Sequence, residues 1–433
     1  MTAVAVTGMG ILAPNGAGTP AYWAATLSGR SGLGGLTRFD PSPYPVRLAG
    51  EIQDLDAAAL LPSRLRAQTD ELTRLSLVAA EWALADAGLD PADLPEYAVG
   101  VVTANTAGGF EFGQRELENL WSKGSGYVSA YQSFAWFYAV NTGQISIRHG
   151  LRGPGSVVVT DGAGGLDALA AARRLLRRGA QAMVTGAVDG SLCPWSWTAL
   201  LAEGRLSTRE DPDDAYLPFD SRADGHVAGE GGALLVVEDT EAARARGART
   251  HGLIEGYGTA FDPAPGSGRA PGLRRAVTQA LDEAGWRPSD VDVVFADAAG
   301  TPQLDRQEAA ALAAVFGPGG VPVTAPKTMT GRLAAGSGPL DVATALLALR
   351  DQVIPPTVNV SCPKEEYCID LVTTVRRTRL RRALVLARGH GGFNSAVALS
   401  GPVAGRRPCR SQTLGGTRGV PGMEGSKVGS QVQ

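Results

Sequence analysis

Residues 156–168 could form an active-site turn, and they are the part of this sequence with the clearest chemical meaning. The run Ser-Val-Val-Val-Thr predicts a buried apolar strand, and the small residues after it predict a turn that opens a helix. Thiol enzymes use this arrangement, because a helix N-terminus stabilises a thiolate and its backbone amides can bind an oxyanion. No cysteine lies in this turn, and Gly162 at its centre cannot accept an acyl group.

Two later segments carry charged residues at positions that could complete such a site. After the apolar residues 293–296 the chain continues with Asp297-Ala-Ala-Gly-Thr-Pro. Farther on it reads Lys327-Thr-Met-Thr-Gly-Arg332. Both segments therefore offer fixed charges instead of the histidines that general acid–base catalysis uses most often.

Together the three segments resemble the active site of the beta-ketoacyl synthases, the condensing enzymes of the thiolase superfamily. The resemblance places Gly162 where that family has its acyl-accepting cysteine. It places Asp297 and Arg332 at the two histidines and keeps Lys327 as the family's lysine. In a working synthase the two imidazoles polarise the malonyl carboxylate and the thioester oxygen, and a carboxylate at Asp297 would repel the former. The resemblance thus implies a site that has lost its Cys-His-His residues and is catalytically silent.

The resemblance covers about residues 1–401 and is most specific for one subfamily. The strings at 108–112, 133–141 and 163–168 look like those of the chain length factors, the ketosynthase beta subunits of type II aromatic polyketide synthases. Many members carry glutamine at the lost cysteine, so Gly162 departs from the subfamily as well. His390 stands in the glycine-rich loop near the site, where a gating phenylalanine is usual.

The resemblance also implies the partners of this chain. An active ketosynthase alpha subunit would form a heterodimer with it and would supply the missing cysteine and histidines. An acyl carrier protein would hold the growing chain on its phosphopantetheine, so no cofactor of this subunit's own is expected. A malonyl transferase would supply malonyl units to the carrier protein.

Composition excludes several other classes of protein. The net charge of −3 gives no electrostatic reason to expect nucleic acid or an anionic membrane as a partner. No apolar run approaches the roughly 20 residues of a membrane-spanning helix, and no basic leader precedes the first apolar stretch. The four cysteines are scattered without the spacing of a metal site. We therefore expect a reduced, cytoplasmic protein without a metal.

Apolar strands alternate with amphipathic helices in an order that occurs twice, which predicts an α/β protein. The paired segments are helices 73–88 and 273–285, strands 97–104 and 291–296, and helices 166–178 and 339–351. The resemblance implies a thiolase-like five-layer α/β/α/β/α fold made of two duplicated halves, residues 1–250 and 251–401. We expect the crossover near 256–270, where Gly and Pro are frequent, and a disordered tail over 402–433.

Asp297 and Arg332 have opposite charges at positions where two neighbouring imidazoles would lie. Either charge would cost several kcal/mol if it were buried alone. We therefore expect the two side chains to pair and to fill the former catalytic pocket.

Phe110, Gly113 and Leu117 share one face of a helix predicted through 112–121, because they follow i, i+3, i+7 spacing. Ordinary core packing would explain such a face in an arbitrary protein. In chain length factors the matching face lines the end of a tunnel at the heterodimer interface, and its bulk limits product length. The small Gly113 and Leu117 then predict a product longer than an octaketide. Phe134 belongs to an aromatic run that the resemblance places at the same interface.

Two hypotheses in which this chain is itself an enzyme remain open. In the first, this subunit primes synthesis as a malonyl-acyl carrier protein decarboxylase, with backbone amides stabilising the enolate. In the second, the nucleophile has moved to Cys193, although no histidine motif follows it and a buried structural thiol explains it more simply.

Overall fold

The structure is a computed structural model, and it describes residues 3–264 and 266–402. The tail predicted over 402–433 lies outside the described residues except for Pro402. Within the described part of the chain, every helix is too short or too polar to cross a membrane.

One large mixed sheet organises the described chain. Its strands and the short strands beside it are β1 (Val4–Ala13), β2 (Gly16–Ala17), β3 (Leu33–Gly35), β4 (Leu48–Gly50), β5 (Val99–Ala104), β6 (Gly155–Val158), β7 (Ala182–Asp189), β8 (Ala228–Gly229), β9 (Gly231–Asp239), β10 (Gly252–Phe261), β11 (Val293–Phe295), β12 (Pro322–Thr324), β13 (Val353–Ile354), β14 (Asp370–Leu371), β15 (Arg376–Arg377), β16 (Arg382–Arg388) and β17 (Phe393–Ser400). The order across the large sheet is β14-β12-β11-β16-β17-β10-β1-β9-β7-β5-β6, and β2 pairs with β1.

The sheet consists of the same five-strand pattern repeated. The first half runs β1-β9-β7-β5-β6, and the second runs β10-β17-β16-β11-β12. In each half the first two pairings are antiparallel and the last two are parallel. The halves meet where β1 pairs with β10, with Val4 opposite Ile254. The duplicated order predicted from the sequence is therefore present.

The helices complete the layers around the two half-sheets. They are α1 (Thr19–Leu27), α2 (Ser63–Arg66), α3 (Glu71–Ala87), α4 (Phe110–Lys123), α5 (Gln132–Ala135), α6 (Val140–His149), α7 (Gly164–Leu176), α8 (Pro194–Ala202), α9 (Thr240–Ala245), α10 (Leu273–Ala284), α11 (Pro302–Phe316) and α12 (Ser337–Asp351). Helices α7 and α12 lie between the half-sheets in the central core. Helix α3 covers the outer face of the first half, and α10 and α11 cover that of the second. The expected five-layer fold is confirmed.

Local sequence explains the helices that the two halves share. Asp70 caps α3 by accepting a hydrogen bond from the backbone N–H of Thr73 at 3.0 Å. Helices α3 and α10 both end at a glycine in the left-handed region, Gly88 with φ of 55° and Gly285 with φ of 69°. These glycines are the helix ends that the sequence predicted, to within a residue.

Two sequence expectations need correction. The strand before Gly162, β6, is an edge strand rather than a buried one: Gly155 and Ser156 are exposed, and Val159 just after it is 45% exposed. The expected crossover at 256–270 lies too late in the chain, because Gly256 is already within β10. The chain passes between the halves earlier, through α9. This strand position requires a glycine because α10 packs closely against it: an added Cβ would lie only 2.1 Å from the Ala280 carbonyl oxygen.

Candidate functional site

The turn at Gly162 leaves no room for a side chain. Strand β6 is followed by a 3-10 turn over Asp161–Ala163, which leads directly into α7. A Cβ atom added to Gly162 would lie 2.5 Å from the carbonyl oxygen of Arg388. That distance is shorter than atoms tolerate, so the backbone at the end of β16 occupies the space that a nucleophile would need.

Asp297 and Arg332 form the ion pair that the sequence predicted. Nη2 of Arg332 donates to Oδ1 of Asp297 at 2.9 Å, and its Nη1 donates to the Asp297 carbonyl oxygen at 2.6 Å. Asp297 is only 2% exposed. The positions that the resemblance assigns to the two histidines therefore hold a buried carboxylate and a partly buried guanidinium that are joined by hydrogen bonds.

A second guanidinium, which sequence analysis missed, completes this cluster. Nε of Arg388 donates to Oδ2 of Asp297 at 3.0 Å, and the Arg388 backbone N–H donates to Oδ1 at 2.9 Å. Nη2 of Arg388 reaches Glu308 on α11 at 3.0 Å. Glu308 also accepts the backbone N–H groups of Asp297 and Ala298, at 2.7 and 2.9 Å. Arg388 thus links the two carboxylates through its side chain while its carbonyl oxygen closes the space at Gly162.

Lys327, the lysine that the family retains, is bound by neighbouring groups of the protein itself. Nζ of Lys327 donates to the carbonyl oxygen of Ala296 at 2.7 Å and lies 2.7 Å from Oδ2 of Asp341 on α12. Both side chains are buried. Lys327 therefore holds the end of β11 against the central layer, and its ammonium is already paired.

Electrostatics fixes the protonation states in the site. Burial would raise the pKa of Asp297, but the charges of Arg332 and Arg388 outweigh it and hold that pKa well below the usual range. Burial, together with the nearby charge of Arg332, lowers the pKa of His226 to about 3. His226 is therefore neutral at physiological pH and Asp297 is ionised.

A cavity of about 280 Å³, called here the site cavity, lies beside this cluster. Gly162, Arg332 and Arg388 line one side of it, and Phe110 lines another. The site cavity thus connects Gly162 and Arg332, two of the three positions that the resemblance assigns to catalysis, with Phe110, the first residue of the predicted chain-length face. Gly113, Leu117, Phe134 and His390 do not line the site cavity.

The predicted chain-length face is present on α4, but tryptophans fill the gap at Gly113. A Cβ added to Gly113 would lie 3.4 Å from Cβ of Trp136 and 3.4 Å from the Trp195 ring. Trp195 also stacks on Phe110, with ring centroids 4.4 Å apart and planes 7° from parallel. Leu117 is 39% exposed. Sequence reasoning missed Trp195, since nothing in its local pattern connects it with α4, 80 residues before it in the chain.

Phe134 belongs to an exposed apolar region rather than to the site cavity. Tyr131, Phe134, Trp136, Phe137 and Tyr138, together called the aromatic surface, are each between 37% and 46% exposed. Phe134 and Phe137 also line a groove of about 540 Å³ beside α6. Such a patch is unusual on a monomer and marks an interaction surface.

His390 and Cys193 are outside the charged cluster. The backbone N–H of His390 donates to Asp161 at 2.6 Å, whereas its side chain is about half exposed and lies 4.0 Å from Glu203. The Sγ atom of Cys193 is buried, with hydroxyls of Ser191 and Ser196 at 3.7 and 3.8 Å. Serine hydroxyls cannot act as the base of a thiol nucleophile, so this environment is that of a structural cysteine.

Comparison with known proteins agrees with this geometry. The family models for the N-terminal and C-terminal domains of beta-ketoacyl synthases match residues 1–243 and 251–361. The tetracenomycin polyketide synthase ketoacyl synthase beta subunit of Streptomyces glaucescens is 61% identical over 399 residues, covering 92% of this chain and 98% of that protein.

Two solved structures share the whole fold. The ishigamide ketosynthase/chain length factor matches with a TM-score of 0.85 and 26% identity, covering 93% of this chain and 100% of that one. A ketosynthase bound to the hexaketide, in complex with its type II polyketide synthase acyl-carrier protein, matches with a TM-score of 0.84, 26% identity and the same coverage. The chain belongs to the beta-ketoacyl synthase family and, within it, to the polyketide ketosynthase beta subunits, the chain length factors.

Proposed function

We propose that this chain pairs with an active ketosynthase alpha subunit and limits the length of the poly-β-ketone that the pair builds, without forming an acyl-enzyme itself. The substrate of the pair is malonyl-acyl carrier protein. The carrier's phosphopantetheine holds the acyl chain, and a malonyl transferase loads the carrier.

The contact between Gly162 and Arg388 carries the proposal of catalytic silence. A missing nucleophile could in principle be replaced by a bound thiol or water if the pocket were open. Here the Arg388 carbonyl oxygen lies 2.5 Å from where the first side-chain atom would be, and Asp297 and Glu308 engage the Arg388 guanidinium. The cationic groups near the turn are therefore already neutralised by the protein's own carboxylates.

Exposed apolar surface supports the pairing. The β6 edge presents unpaired backbone groups beside the half-exposed Val159, and the aromatic surface adds a second apolar region. A long-lived subunit interface is expected to bury such aromatic side chains, and an open edge strand is a template for pairing with another chain.

The decarboxylase alternative has less support from the site. Decarboxylation requires a group that accepts the developing enolate charge and a pocket that admits the malonyl carboxylate. The guanidiniums of Arg332 and Arg388 are engaged by Asp297, and the carboxylates of Asp161 and Glu203 also line the site cavity. Arg205 also lines the cavity, so an anionic substrate would meet two carboxylates and one guanidinium that no ion pair among the described residues engages.

Reconstitution tests the proposal. The alpha subunit, carrier protein and malonyl donor are combined with and without this chain, and products are identified by mass spectrometry. We expect polyketide only when both subunits are present. Malonyl decarboxylation or self-acylation by this chain in the absence of the alpha subunit would contradict the proposal and would favour the two enzyme hypotheses.

A further inference from the structure

Three exposed arginines lie close together on the segment that joins β15 to β16. Arg377, Arg379 and Arg381, together called the arginine row, are all exposed, whereas Leu380 in the same segment is only 3% exposed. A chain of this length spans no more than about 14 Å from Arg377 to Arg381. Three guanidinium groups are therefore crowded on one short stretch of the surface.

The arginine row is not engaged by the protein itself. None of its three guanidinium groups forms a hydrogen bond or an ion pair with any described residue. The arginines on either side of the row are paired: Arg376 donates to both carboxylate oxygens of Asp370 at 2.6 and 2.8 Å, and Arg382 lies 3.5 Å from Asp290. The row therefore differs from its neighbours in having its charges free.

The carboxylates nearby leave an excess of positive charge. Asp292 accepts the backbone N–H groups of Arg381 and Arg382 at 2.6 and 2.9 Å, and Asp351 is bound by Arg350 at 2.7 Å. Of these aspartates, Asp292 alone has no guanidinium partner among the described residues. One carboxylate cannot balance the three charges of the row.

The sequence that follows the last strand adds more positive charge. The backbone N–H of Gly401 donates to the carbonyl oxygen of Arg381 at 2.9 Å, so the chain leaves β17 beside the row. Residues 403–433 contain four arginines and one lysine against one glutamate. Arg406 follows Gly401 by five residues and can lie no more than about 18 Å from it.

The arginine row is remote from the site cavity. Arg382 and Arg388 are the two ends of β16, and six residues of strand separate them by about 20 Å. Arg388 lines the cavity, whereas the row adjoins the opposite end of the strand. A molecule bound to the row would therefore leave the cavity open.

We propose that the arginine row is a docking site for an acidic, extended segment of another protein. Carboxylates at alternate positions of such a segment are about 6.6 Å apart, which matches the alternate positions of the three arginines. A guanidinium binds a carboxylate through two parallel hydrogen bonds, as Arg376 binds Asp370. A nucleic acid or an anionic membrane would extend well beyond the row and would meet the rest of a chain whose net charge is −3.

The test uses the assembled alpha–beta pair and a fluorescein-labelled peptide of alternating Glu and Ser, with binding measured by fluorescence anisotropy. An oligothymidylate of equal length and vesicles of phosphatidylglycerol with phosphatidylcholine represent the other polyanions. One triple variant removes the row: Arg377→Gln, Arg379→Gln and Arg381→Gln. The matched control removes three exposed arginines that form no ion pair with a described residue: Arg174→Gln, Arg178→Gln and Arg269→Gln.

We expect the wild-type pair and the control triple to bind the peptide equally, and the row triple to bind it about tenfold more weakly. All pairs are compared at equal amounts of assembled protein, measured by gel filtration, so a loss of assembly is not mistaken for a loss of docking. No peptide binding by the wild type, or equal weakening in both triples, would overturn the inference. Tighter binding of the oligothymidylate or the vesicles than of the peptide would overturn it as well.

Discussion

Asp297 determines what the residues around it can do. As a buried carboxylate it needs compensating charge, and it receives it from Arg332 and Arg388. Those two guanidiniums are then occupied, and Arg388 is drawn close enough for its carbonyl oxygen to exclude a side chain at Gly162. The residues at Gly162, Asp297 and Arg332 are therefore physically linked, because together with Arg388 and Glu308 they form one packed cluster of two carboxylates and two guanidiniums.

Gly162→Cys tests this link. The new Cβ would lie 2.5 Å from the Arg388 carbonyl oxygen, so we expect a loss of about 1–3 kcal/mol in the free energy of unfolding. We also expect no acylation of the new thiol by malonyl or acetyl thioesters, measured by intact-protein mass spectrometry. Gly126→Cys is the matched control, since an added Cβ meets no atom within 4 Å there. A stable, readily acylated Gly162→Cys protein would show that the site is open.

Arg388→Gln removes one guanidinium from the cluster. Asp297 would keep Arg332, but Glu308 would lose its cationic partner, and breaking a buried pair costs about 3–5 kcal/mol. We expect a loss of this size in denaturant unfolding of the assembled pair. Arg306→Gln breaks the exposed pair with Glu366 and should change stability by no more than about 0.5 kcal/mol. Similar small effects in both variants would refute the structural role of Arg388.

Asp189→Asn tests the buried carboxylate of the site cavity by its pH dependence. Burial raises the pKa of Asp189 to about 6, compared with roughly 3.9 in an unfolded chain. The folded state therefore binds more protons between these values, and the contribution of Asp189 to stability is complete below pH 4 and is lost as the pH rises through 6. From pH 4 to 7, we expect the wild type to lose about 2–3 kcal/mol relative to Asp189→Asn. Parallel stability curves would contradict this expectation.

At the scale of elements, the two edges of β6 differ, because one is paired with another strand and the other is open. One edge pairs in parallel with β5, which fixes the turn at Gly162 against the half-sheet. The other edge is open, and of the Val-Val-Val run that suggested burial from sequence, Val157 and Val158 are partly exposed and Val159 is 45% exposed. Apolar β-branched residues on an open edge would promote aggregation in a monomer, so the same residues indicate an interface that another subunit covers.

Val159→Lys tests this interface. Val159 is 45% exposed in the isolated chain, so the substitution should leave the fold intact. If a partner covers the edge, the ammonium group would be desolvated on assembly, and we expect co-purification with the alpha subunit to fall at least tenfold. Val375→Lys, at a valine that is 40% exposed elsewhere, should leave assembly unchanged. Equal assembly of both variants would exclude this part of the β6 edge from the interface.

Sequence predicted the repeated elements well because periodicity and the glycine ends of helices are local signals. It also predicted the Asp297–Arg332 pair, because the resemblance places the two residues next to each other and a buried charge without a partner is costly. Arg388 was missed because it is a lone charge at the end of a buried strand, and only the fold shows that β16 ends beside β11. The exposure of β6 was missed for a related reason: a strand's position in the sheet order depends on pairings far apart in the chain.

At the scale of the whole molecule, the predicted functional residues differ in their exposure to solvent. Asp297 and Glu308 in the charged cluster are buried, whereas the aromatic surface and Leu117 are exposed. A tunnel wall that includes Leu117 is therefore complete only when a second subunit covers α4. Because Trp136 and Trp195 already fill the space beside Gly113, we expect bulk at Leu117 to affect product length more than bulk at Gly113.

We therefore expect Leu117→Phe to shorten the main polyketide of the reconstituted pair by at least one acetate unit. Gly113→Thr should act only if it displaces a tryptophan, because its Cβ alone would lie 3.4 Å from both Trp136 and Trp195. Leu60→Phe, at a leucine that is 52% exposed outside α4, is the matched control and should leave the product unchanged. Products are compared by mass spectrometry at equal amounts of assembled pair, so a loss of assembly is not mistaken for a change in length. If Leu117→Phe and Leu60→Phe give the same product, the exposed end of α4 does not face the growing chain, and the depth of the tunnel must be set elsewhere.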